Sequence, residues 1–573
     1  MPLFRGQGPA FAWGFLLLAL TNVTAAAIPY VMKLATEALL TPTRADVDLW
    51  VAALIGLAVT NAFFRVHSRM RIFGIGRDVE YALRKSYHAK LLSLDAPFLD
   101  REKTGDLASR GAADVSSVRM FVGPGFLQIS NVVMVYAATL PVMLGLDPWL
   151  TLYALAPIPL VLGLSRLLTR RMYRLSRVVA DHFGLLSGFI QEAVAGMAVI
   201  RAHAREQEWN RRFEVEAEEL CRASLAHSRL QSLFAPMVVL AGSIGGWIIL
   251  AHGGYEVAAG RLTMGDFVAF SGYLAMLIWP TVGFGWILSV MQRGLAALDR
   301  INRVMDARPF LSPEAAAGAD PGGRWPGAIS IRGLRFAYRP SDPVLRDISL
   351  EIPPGTLIGL AGRVGCGKST LLHLLARIQP APPGTILMDG RELSTIPEAE
   401  LRRNLAMAPQ ESFLFSIPLD KNIGFGTAAP ESIREALRVA ALEEEALAFP
   451  QGLETLIGER GITLSGGQRQ RAALARALVG DPAILLLDDV FSHVDARTEE
   501  RILDNLRLLK RRHTVVMVCH RVAALKHADR ICLLENGGVA AWGTHEELLN
   551  SMQLYRDLHD SMSRAEALEA LAG

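Results

Sequence analysis

The fold is decided by two short stretches, L-S-G-G-Q-R-Q-R-A-A-L-A-R-A at residues 464–477 and G-R-V-G-C-G-K-S-T at residues 362–370. The second stretch lies between an apolar run at 357–361 and an apolar helical run at 371–378. A glycine-rich turn between a strand and a helix directs several backbone N–H groups and the helix N-terminus toward one point, which suits the phosphates of a nucleotide. Lys368 is expected to reach the β- and γ-phosphates, and the Ser369 hydroxyl is expected to bind Mg²⁺.

The first stretch indicates which class of nucleotide-binding protein this is, because its opening pentapeptide L-S-G-G-Q resembles the signature of the ABC-transporter ATPase family. The resemblance extends over the whole C-terminal part of the chain, where the other motifs follow in the family's order. It implies an α/β P-loop ATPase domain with an antiparallel β subdomain and a helical subdomain that carries the signature. It also implies ATP and Mg²⁺ as cofactors, and a dimer in which the signature of one subunit covers the γ-phosphate at the P-loop of the other.

Further positions match the family's nucleotide-contacting residues. Tyr338 stands where the family stacks an aromatic ring on adenine. Asp488 lies at the end of a strand and matches the family's carboxylate that supports Mg²⁺ through water. Gln410 matches the glutamine that touches Mg²⁺ or the attacking water, and His520 matches the histidine that contacts the γ-phosphate. The predicted nucleotide-binding residues are Tyr338, Gly362, Gly365, Gly367, Lys368, Ser369, Thr370, Ser465, Gly466, Gly467 and Gln468. The predicted metal ligands are Ser369, Gln410 and Asp488, and the predicted catalytic residues are Gln410, Asp489 and His520.

The residue after Asp488 departs from the family pattern. Family members that hydrolyse ATP efficiently have Glu there, and this chain has Asp489. A carboxylate activates the attacking water only within hydrogen-bond reach. The missing methylene shortens that reach by about 1.5 Å, and a misplacement of about 1 Å can cost roughly 10²-fold in rate. His493 is a second departure, in S-H-V-D where the family usually reads S-A-L-D; we interpret it as a packing change.

An intact signature beside a shortened carboxylate resembles one half of a heterodimeric ABC exporter. Under this hypothesis the chain's own P-loop forms a degenerate site with impaired hydrolysis. Its signature would complete the competent site of a separate partner half-transporter. Two alternatives remain open: a homodimeric lipid or multidrug flippase in which Asp489 is the working base, and a nucleotide-gated channel or regulatory subunit.

The N-terminal half differs sharply from the rest of the 573-residue chain, which is 51% hydrophobic and 20% charged overall. It holds six apolar runs near the length that crosses a bilayer, at residues 11–31, 50–64, 126–146, 149–164, 234–251 and 267–291. A soluble protein of repair or translation could not solvate these runs, so that class is excluded. The four cysteines show no metal-binding spacing and are interpreted as reduced thiols.

The basic segments 65–119 and 166–229 are cytoplasmic by the positive-inside rule. This places a multi-pass protein in the cell (inner) membrane, with the ATPase domain and both termini in the cytoplasm. Each segment is patterned as a long helix, and thirty helical residues span about 45 Å. Such cytoplasmic extensions are typical of the exporter type, and their tips, at 94–110 and near 195–205, resemble the family's coupling helices.

The predicted architecture is therefore an all-α transmembrane domain of six helices at residues 1–305, a linker at 306–326 and the ATPase domain at 327–573. The expected partners are a second half-transporter, membrane lipid and an amphipathic drug, lipid or peptide, without nucleic acid. Polar and aromatic residues within the spans are candidates for a substrate cavity, and each is equally a candidate for helix packing. These are Asn22, Asn61, Gln128, Asn131, Trp279, Trp286 and Gln292.

Overall fold

The computed structural model describes residues 8–39, 44–307, 323–339, 341–458, 464–510, 512–518 and 520–572. The chain divides into two compact units, the first formed by Met1–Leu92 with Lys103–Ala307 and the second by Ser93–Glu102 with Arg308–Gly573. Most of the predicted linker, at 308–322, lies outside the described residues, as does the loop 459–463 before the signature. Cys221, Cys366 and Cys532 are free, and Cys519 lies outside the described residues.

The chain is helical throughout its N-terminal half. The helices are α1 Gly8–Leu39, α2 Arg44–Leu92, α3 Ala96–Arg101, α4 Thr104–Ser109, α5 Val115–Met120, α6 Phe126–Leu146, α7 Pro148–Leu155, α8 Pro157–Ala195, α9 Met197–Ala202, α10 Glu206–Ser232, α11 Phe234–Ile248, α12 Gly254–Ala258 and α13 Met264–Met305. Short π-helical turns join neighbouring helices at Arg110–Asp114, Phe121–Gly125 and Ile249–Gly253.

The predicted apolar runs all fall on these helices. Within the described residues, three helical stretches are long and apolar enough to cross a membrane, Gly8–Leu39, Val47–Leu92 and Thr104–Leu146, and Met264–Ile278 is a shorter apolar helix. The predicted span 149–164 is interrupted between α7 and α8, because Pro157 in the first turn of α8 has no N–H to continue the hydrogen-bond ladder.

Polar side chains inside the spans pair the helices. The Asn61 amide of α2 donates to the backbone oxygen of Thr21 at 2.7 Å and to the Thr24 hydroxyl at 2.9 Å, both on α1. The Asn22 amide donates to Asn131 Oδ1 of α6 at 3.3 Å. Of the residues predicted to line a cavity or to pack helices, Asn61 therefore packs α2 against α1. The side chain of Trp279 lies outside the described residues.

The second unit is built on two sheets, whose strands are β1 Ile329–Arg339, β2 Asp342–Ile352, β3 Leu357–Gly362, β4 Ile386–Met388, β5 Arg391–Glu392, β6 Leu405–Ala408, β7 Ile484–Asp488, β8 Thr514–Val518, β9 Arg530–Glu535 and β10 Gly538–Gly543. The smaller sheet is antiparallel, in the order β2-β1-β4-β5. The larger has the order β10-β9-β3-β8-β7-β6 and is parallel except at the β10 edge.

Both faces of the parallel sheet are buried. In β3, Leu357 and Ala361 belong to one apolar core, and Ile358 and Leu360 belong to a second. The helices of this unit are α14 Lys368–Leu375, α15 Glu398–Asn404, α16 Leu419–Gly424, α17 Pro430–Val439, α18 Glu443–Leu447, α19 Gly466–Leu478, α20 Ala496–Leu509, α21 Val522–His527, α22 His545–Ser551 and α23 Gln553–Ala572. The alternation along β3 follows from the two-residue period of a strand.

The segment that follows Gln410 is fixed by one buried amide. Asn422, with 0% of its surface exposed, accepts from the Phe415 N–H at 2.9 Å and donates to the Phe415 and Ile417 oxygens at 2.9 and 3.0 Å. Arg476 of α19 donates to Asn422 Oδ1 at 3.0 Å. Arg476 also donates to the Phe413 oxygen at 2.8 Å, so Asn422 and Arg476 together tie the segment to the helix that carries the signature.

We expect Asn422→Ala to lower the melting temperature of the full chain in detergent by several degrees. The change removes the acceptor of the Phe415 N–H, at about 1–3 kcal/mol for an unsatisfied buried group, and one of the three acceptors of the Arg476 guanidinium. Asn505→Ala is the matched control, because the Asn505 amide only donates to the Arg438 and Val439 oxygens, at 3.4 and 3.1 Å, and holds no backbone N–H or arginine. Equal melting temperatures for both variants would show that Asn422 does not hold the segment.

Candidate nucleotide site

The candidate site lies at one edge of the parallel sheet. The strands β3, β8, β7 and β6 are neighbours in that order, and their carboxyl ends meet at the same edge. The P-loop follows β3, His520 follows β8, Asp488 ends β7, and Gln410 follows β6. Ligands of open α/β sheets bind outside such carboxyl ends. Residues far apart in the sequence are therefore brought together by strand order.

The P-loop forms a cradle that requires glycine. Gly362, Gly365 and Gly367 have φ of +147°, +84° and +102°. A Cβ atom on Gly367 would lie 2.5 Å from Leu345 Cδ2, and its φ of +102° would strain any residue with a side chain. Lys368 is buried, and its ammonium donates to the Gly362 and Arg363 oxygens at 2.8 and 3.1 Å. The loop thus encloses a cation at the N-terminus of α14, an arrangement that fits phosphate groups.

Next to the loop, the two predicted metal ligands Ser369 and Asp488 are hydrogen-bonded to each other. The Ser369 hydroxyl donates to Asp488 Oδ1 at 2.9 Å. Burial raises the pKa of the Asp488 carboxyl, and the hydrogen bond from Ser369 opposes this rise. A hydroxyl and a largely buried carboxylate are the hard oxygen ligands that Mg²⁺ prefers. The residues present therefore fit the predicted metal.

The predicted catalytic residues converge on Asp489. Gln410 Nε2 donates to Asp489 Oδ2 at 3.3 Å. Burial, together with repulsion from Asp488, raises the pKa of Asp489, while the charge of His520 acts in the opposite direction. Burial lowers the pKa of His520. A carboxylate is thus held close to an imidazole and an amide donor, which are groups that can serve proton transfer from a water molecule.

Tyr338 lies beside the P-loop at the end of β1. Its hydroxyl donates to Thr370 Oγ1 at 3.3 Å, and its ring packs edge-on against Phe336 with the ring centres 5.1 Å apart. The side chain is 53% exposed. An exposed ring anchored next to the loop can take a base stacked on its free face.

The signature residues form the start of α19. Ser465 caps this helix by accepting from the Gln468 N–H, and the Gln468 side chain accepts from the Ser465 N–H at 2.9 Å, which makes a capping box. Gln468 also donates to Glu445 Oε2 at 2.9 Å. Across the described part of the chain, no hydrogen bond or ion pair joins residues 465–468 to the P-loop or to Asp489. The structure therefore brings Tyr338, the P-loop, Gln410, Asp488, Asp489 and His520 together, and it places the signature elsewhere.

Sequence reasoning missed Gln470, which links the signature helix to residues 492–493. Gln470 is buried; its amide donates to Ser492 Oγ at 2.7 Å, and its oxygen accepts from the His493 N–H at 3.0 Å. The His493 ring covers Gly466, where an added Cβ would lie 3.2 Å from His493 Cδ2. His493 therefore packs on the signature. No local sequence pattern around Gln470 predicts its hydrogen bonds to residues 492–493.

The fold and this edge define a membrane protein that carries a P-loop nucleotide-binding unit. Residues 11–281 match the model of the ABC transporter transmembrane region, and residues 345–492 match that of the ABC transporter. The "Probable multidrug resistance ABC transporter ATP-binding/permease protein YheI" of Bacillus subtilis (strain 168) is 34% identical over 89% of this chain and 87% of its own length. The chain therefore belongs to the ABC transporters, in the exporter arrangement that fuses membrane and ATPase domains.

Two further similarities extend over nearly the whole chain. The "ATP-dependent lipid A-core flippase" of Syntrophus aciditrophicus (strain SB) is 28% identical over 98% of this chain and 93% of its own length. A solved structure, "Structure of a bacterial Atm1-family ABC exporter with ATP bound", aligns with a TM-score of 0.80 at 24% identity, over 96% of this chain and 98% of that one. The fold class predicted from the sequence, a helical membrane domain followed by an α/β ABC ATPase domain, is confirmed.

We expect Gln470→Ala to reduce ATP turnover roughly tenfold and to leave ATP binding unchanged. It removes the acceptor of the partly buried His493 N–H, a loss of about 0.5–1.5 kcal/mol for a typical hydrogen bond, without touching the P-loop. Turnover and nucleotide binding are measured on the full chain. Gln553→Ala is the control, since Gln553 lies on an exposed face of α23 and bonds Asp557 one turn along. Normal turnover in Gln470→Ala would contradict this role.

The pH profile of turnover tests Asp489. A base works only when deprotonated, so activity falls as pH drops through its pKa, which burial places above the usual aspartate value of about 3.9. The Gln410 hydrogen bond lowers this pKa, so Gln410→Leu is expected to move the acid limb to higher pH. The exposed Gln451→Leu should leave it in place. An acid limb that does not move would remove Asp489 from the proton-transfer step.

Proposed function

We propose that this chain is a subunit of an ATP-driven exporter that moves amphipathic substrates, lipids or drugs, out of the cytoplasm or the inner leaflet. The main support is that one chain combines two features. Lys368, Asp488, Asp489 and Gln410 lie at the same edge of the parallel sheet, and the N-terminal half has helices long and apolar enough to span a membrane. The names of the relatives, which refer to multidrug resistance and to lipid flipping, support it.

At the proposed hydrolytic site, each side chain has one task. Asp489 accepts a proton from the attacking water, and Gln410, bonded to Asp489, orients that water. Lys368 and His520 face the phosphates. Bound Mg²⁺, held by Ser369 and Asp488, would neutralise phosphate charge.

The site needs a second subunit to close it. The signature residues 465–468 stand at the N-terminus of α19, which is a suitable place for a phosphate. Since they make no contact with the chain's own P-loop among the described residues, we infer that they serve the P-loop of a partner. ATP binding then draws the two ATPase domains together, and the membrane helices shift between inward- and outward-facing states whose populations follow nucleotide affinity.

We favour a homodimer with Asp489 as the working base. The carboxyl contacts Gln410, and its raised pKa makes it a stronger base at neutral pH than an exposed aspartate. The flippase and multidrug names of the relatives agree with an exporter. A heterodimer with a degenerate site stays the second candidate, because Asp489 is one methylene shorter than the Glu of the efficient family members.

ATP hydrolysis by this chain purified alone separates the two candidates. The homodimer predicts substantial turnover, a loss of roughly 10²-fold in Asp489→Asn, and retained or higher turnover in Asp489→Glu. Asp504→Asn is the control, since that carboxylate lies on α20 with 64% of its side chain exposed. ATP binding is measured for every variant to show that the site is intact.

The opposite result has a clear form. Negligible turnover from the chain alone, with robust turnover after co-expression with a second half-transporter and no effect of Asp489→Asn there, would establish the heterodimer. ATP-dependent conductance without uphill movement of any amphiphile would instead replace the exporter by a channel.

A further inference from the structure

We propose that the transported molecule is an amphiphile with an anionic head group, bound in a cavity of the first unit; this rests on the exporter function proposed above. The cavity has a volume of about 930 Å³ and lies mainly among α1, α2, α6 and α13. Ligand pockets usually measure about 300–1,000 Å³. The space is therefore large enough for a head group together with part of an acyl chain.

Three arginines line this cavity. Arg65 and Arg69 lie one turn apart on α2, and Arg293 lies on α13. The described lining residues include no Asp or Glu. Gln128 and Asn131 add neutral amides, which can donate to an anion as well. Asn22 also lines the cavity, and its amide already donates to the Leu18 oxygen and to Asn131 Oδ1.

The three arginines differ from others on the same helices. Arg77 and Arg84 of α2 both bind Glu80, and Arg300 of α13 donates to both oxygens of Asp114. No ion pair to Arg65, Arg69 or Arg293 occurs within the described residues, where the Arg293 guanidinium donates one hydrogen bond, to the Ser289 hydroxyl. Positive charges that face a cavity without a counter-ion attract an anion into it.

The arginines share one end of the cavity. Asn61 is level with Thr21 of α1, so Arg65 and Arg69 lie one and two turns further toward the N-terminus of α1. Helix α13 runs antiparallel to α1, because a Cβ on Gly265 would meet the Lys33 oxygen and one on Gly272 would meet Pro29. Arg293 therefore also lies toward the N-terminus of α1.

The other end is apolar. Along α13 the lining runs from Met276 through Trp286 to Arg293, which are 17 residues and about 25 Å apart. Ala25 of α1 and Val135 of α6 line the apolar end beside Met276. A molecule that matches both ends carries its negative charge at the end near the predicted cytoplasmic face and its apolar chain deeper in the membrane.

The test compares amphiphiles of equal tail and different charge on the purified full chain. Dioctanoyl phosphatidylglycerol should stimulate ATP turnover at lower concentration than dioctanoyl phosphatidylcholine or an alkyl trimethylammonium. Decyl sulfate, an anion that is not a phospholipid, shows whether the head group alone or the lipid form is selected. Glycerol phosphate, which has the charge without a tail, should not stimulate.

The variant Arg65→Gln/Arg69→Gln/Arg293→Gln should need roughly tenfold more phosphatidylglycerol for half-maximal stimulation, because charge-assisted hydrogen bonds are lost. The corresponding Lys variant should recover most of the response. Arg71→Gln is the matched control, since Arg71 is exposed on α2 and is not among the cavity-lining residues. Basal turnover close to that of the unmodified chain shows that each variant is folded.

Equal stimulation by the neutral or cationic amphiphile, or an unchanged response of the triple Gln variant, would overturn the anionic preference and leave the exporter function standing. If the Gln variant does not fold, displacement of a fluorescent phosphatidylglycerol from the unmodified chain by phosphatidylglycerol, but not by phosphatidylcholine, decides the same point. Absence of both basal turnover and any amphiphile effect, in the chain alone and also after co-expression with a second half-transporter, would reject the proposed function itself.

Discussion

Burial of the parallel sheet on both faces is the constraint on which the nucleotide site depends. Leu485 and Leu487 of β7 lie in one core, and Ile484 and Leu486 lie in the other. The register of β7 is set by its parallel pairing on both sides, with Ile484 opposite Leu405 of β6 and Thr514 of β8. The same register sets where each strand ends. Asp488 therefore reaches the edge where Ser369 can donate to it.

The sequence was most informative where the chemistry is local. The P-loop, the signature and the strand ending in Asp488 each occupy a few consecutive residues, and the fold class follows from their order. The links between distant segments could not be predicted in this way. Asn422 with Arg476, and Gln470 with Ser492, are separated by 54 and 22 residues. No period or motif marks such pairs, because each arises only when two elements pack.

In the membrane half, the sequence likewise could not predict which arginines are paired with a carboxylate. Hydropathy places Arg65 and Arg69 at the start of a basic cytoplasmic extension, and the sequence gives no reason to separate them from Arg77 or Arg84. The structure separates them, because Glu80 neutralises the latter pair and the former pair faces the cavity. Which side of a helix an arginine occupies, and whether a carboxylate meets it there, depends on the packing of other helices.

Asp489 combines two opposing effects. The shorter side chain weakens its reach toward a water molecule, while burial and Asp488 raise its pKa and so its strength as a base. Gln410, whose amide donates to the carboxylate at 3.3 Å, can compensate for the shorter reach by contacting the same water molecule as Asp489. In a homodimer both sites would share this balance, so the two ATP molecules would be hydrolysed at equivalent centres. In a heterodimer, the site formed by the partner's P-loop would have the longer Glu instead of Asp. The two centres would then hydrolyse ATP at different rates.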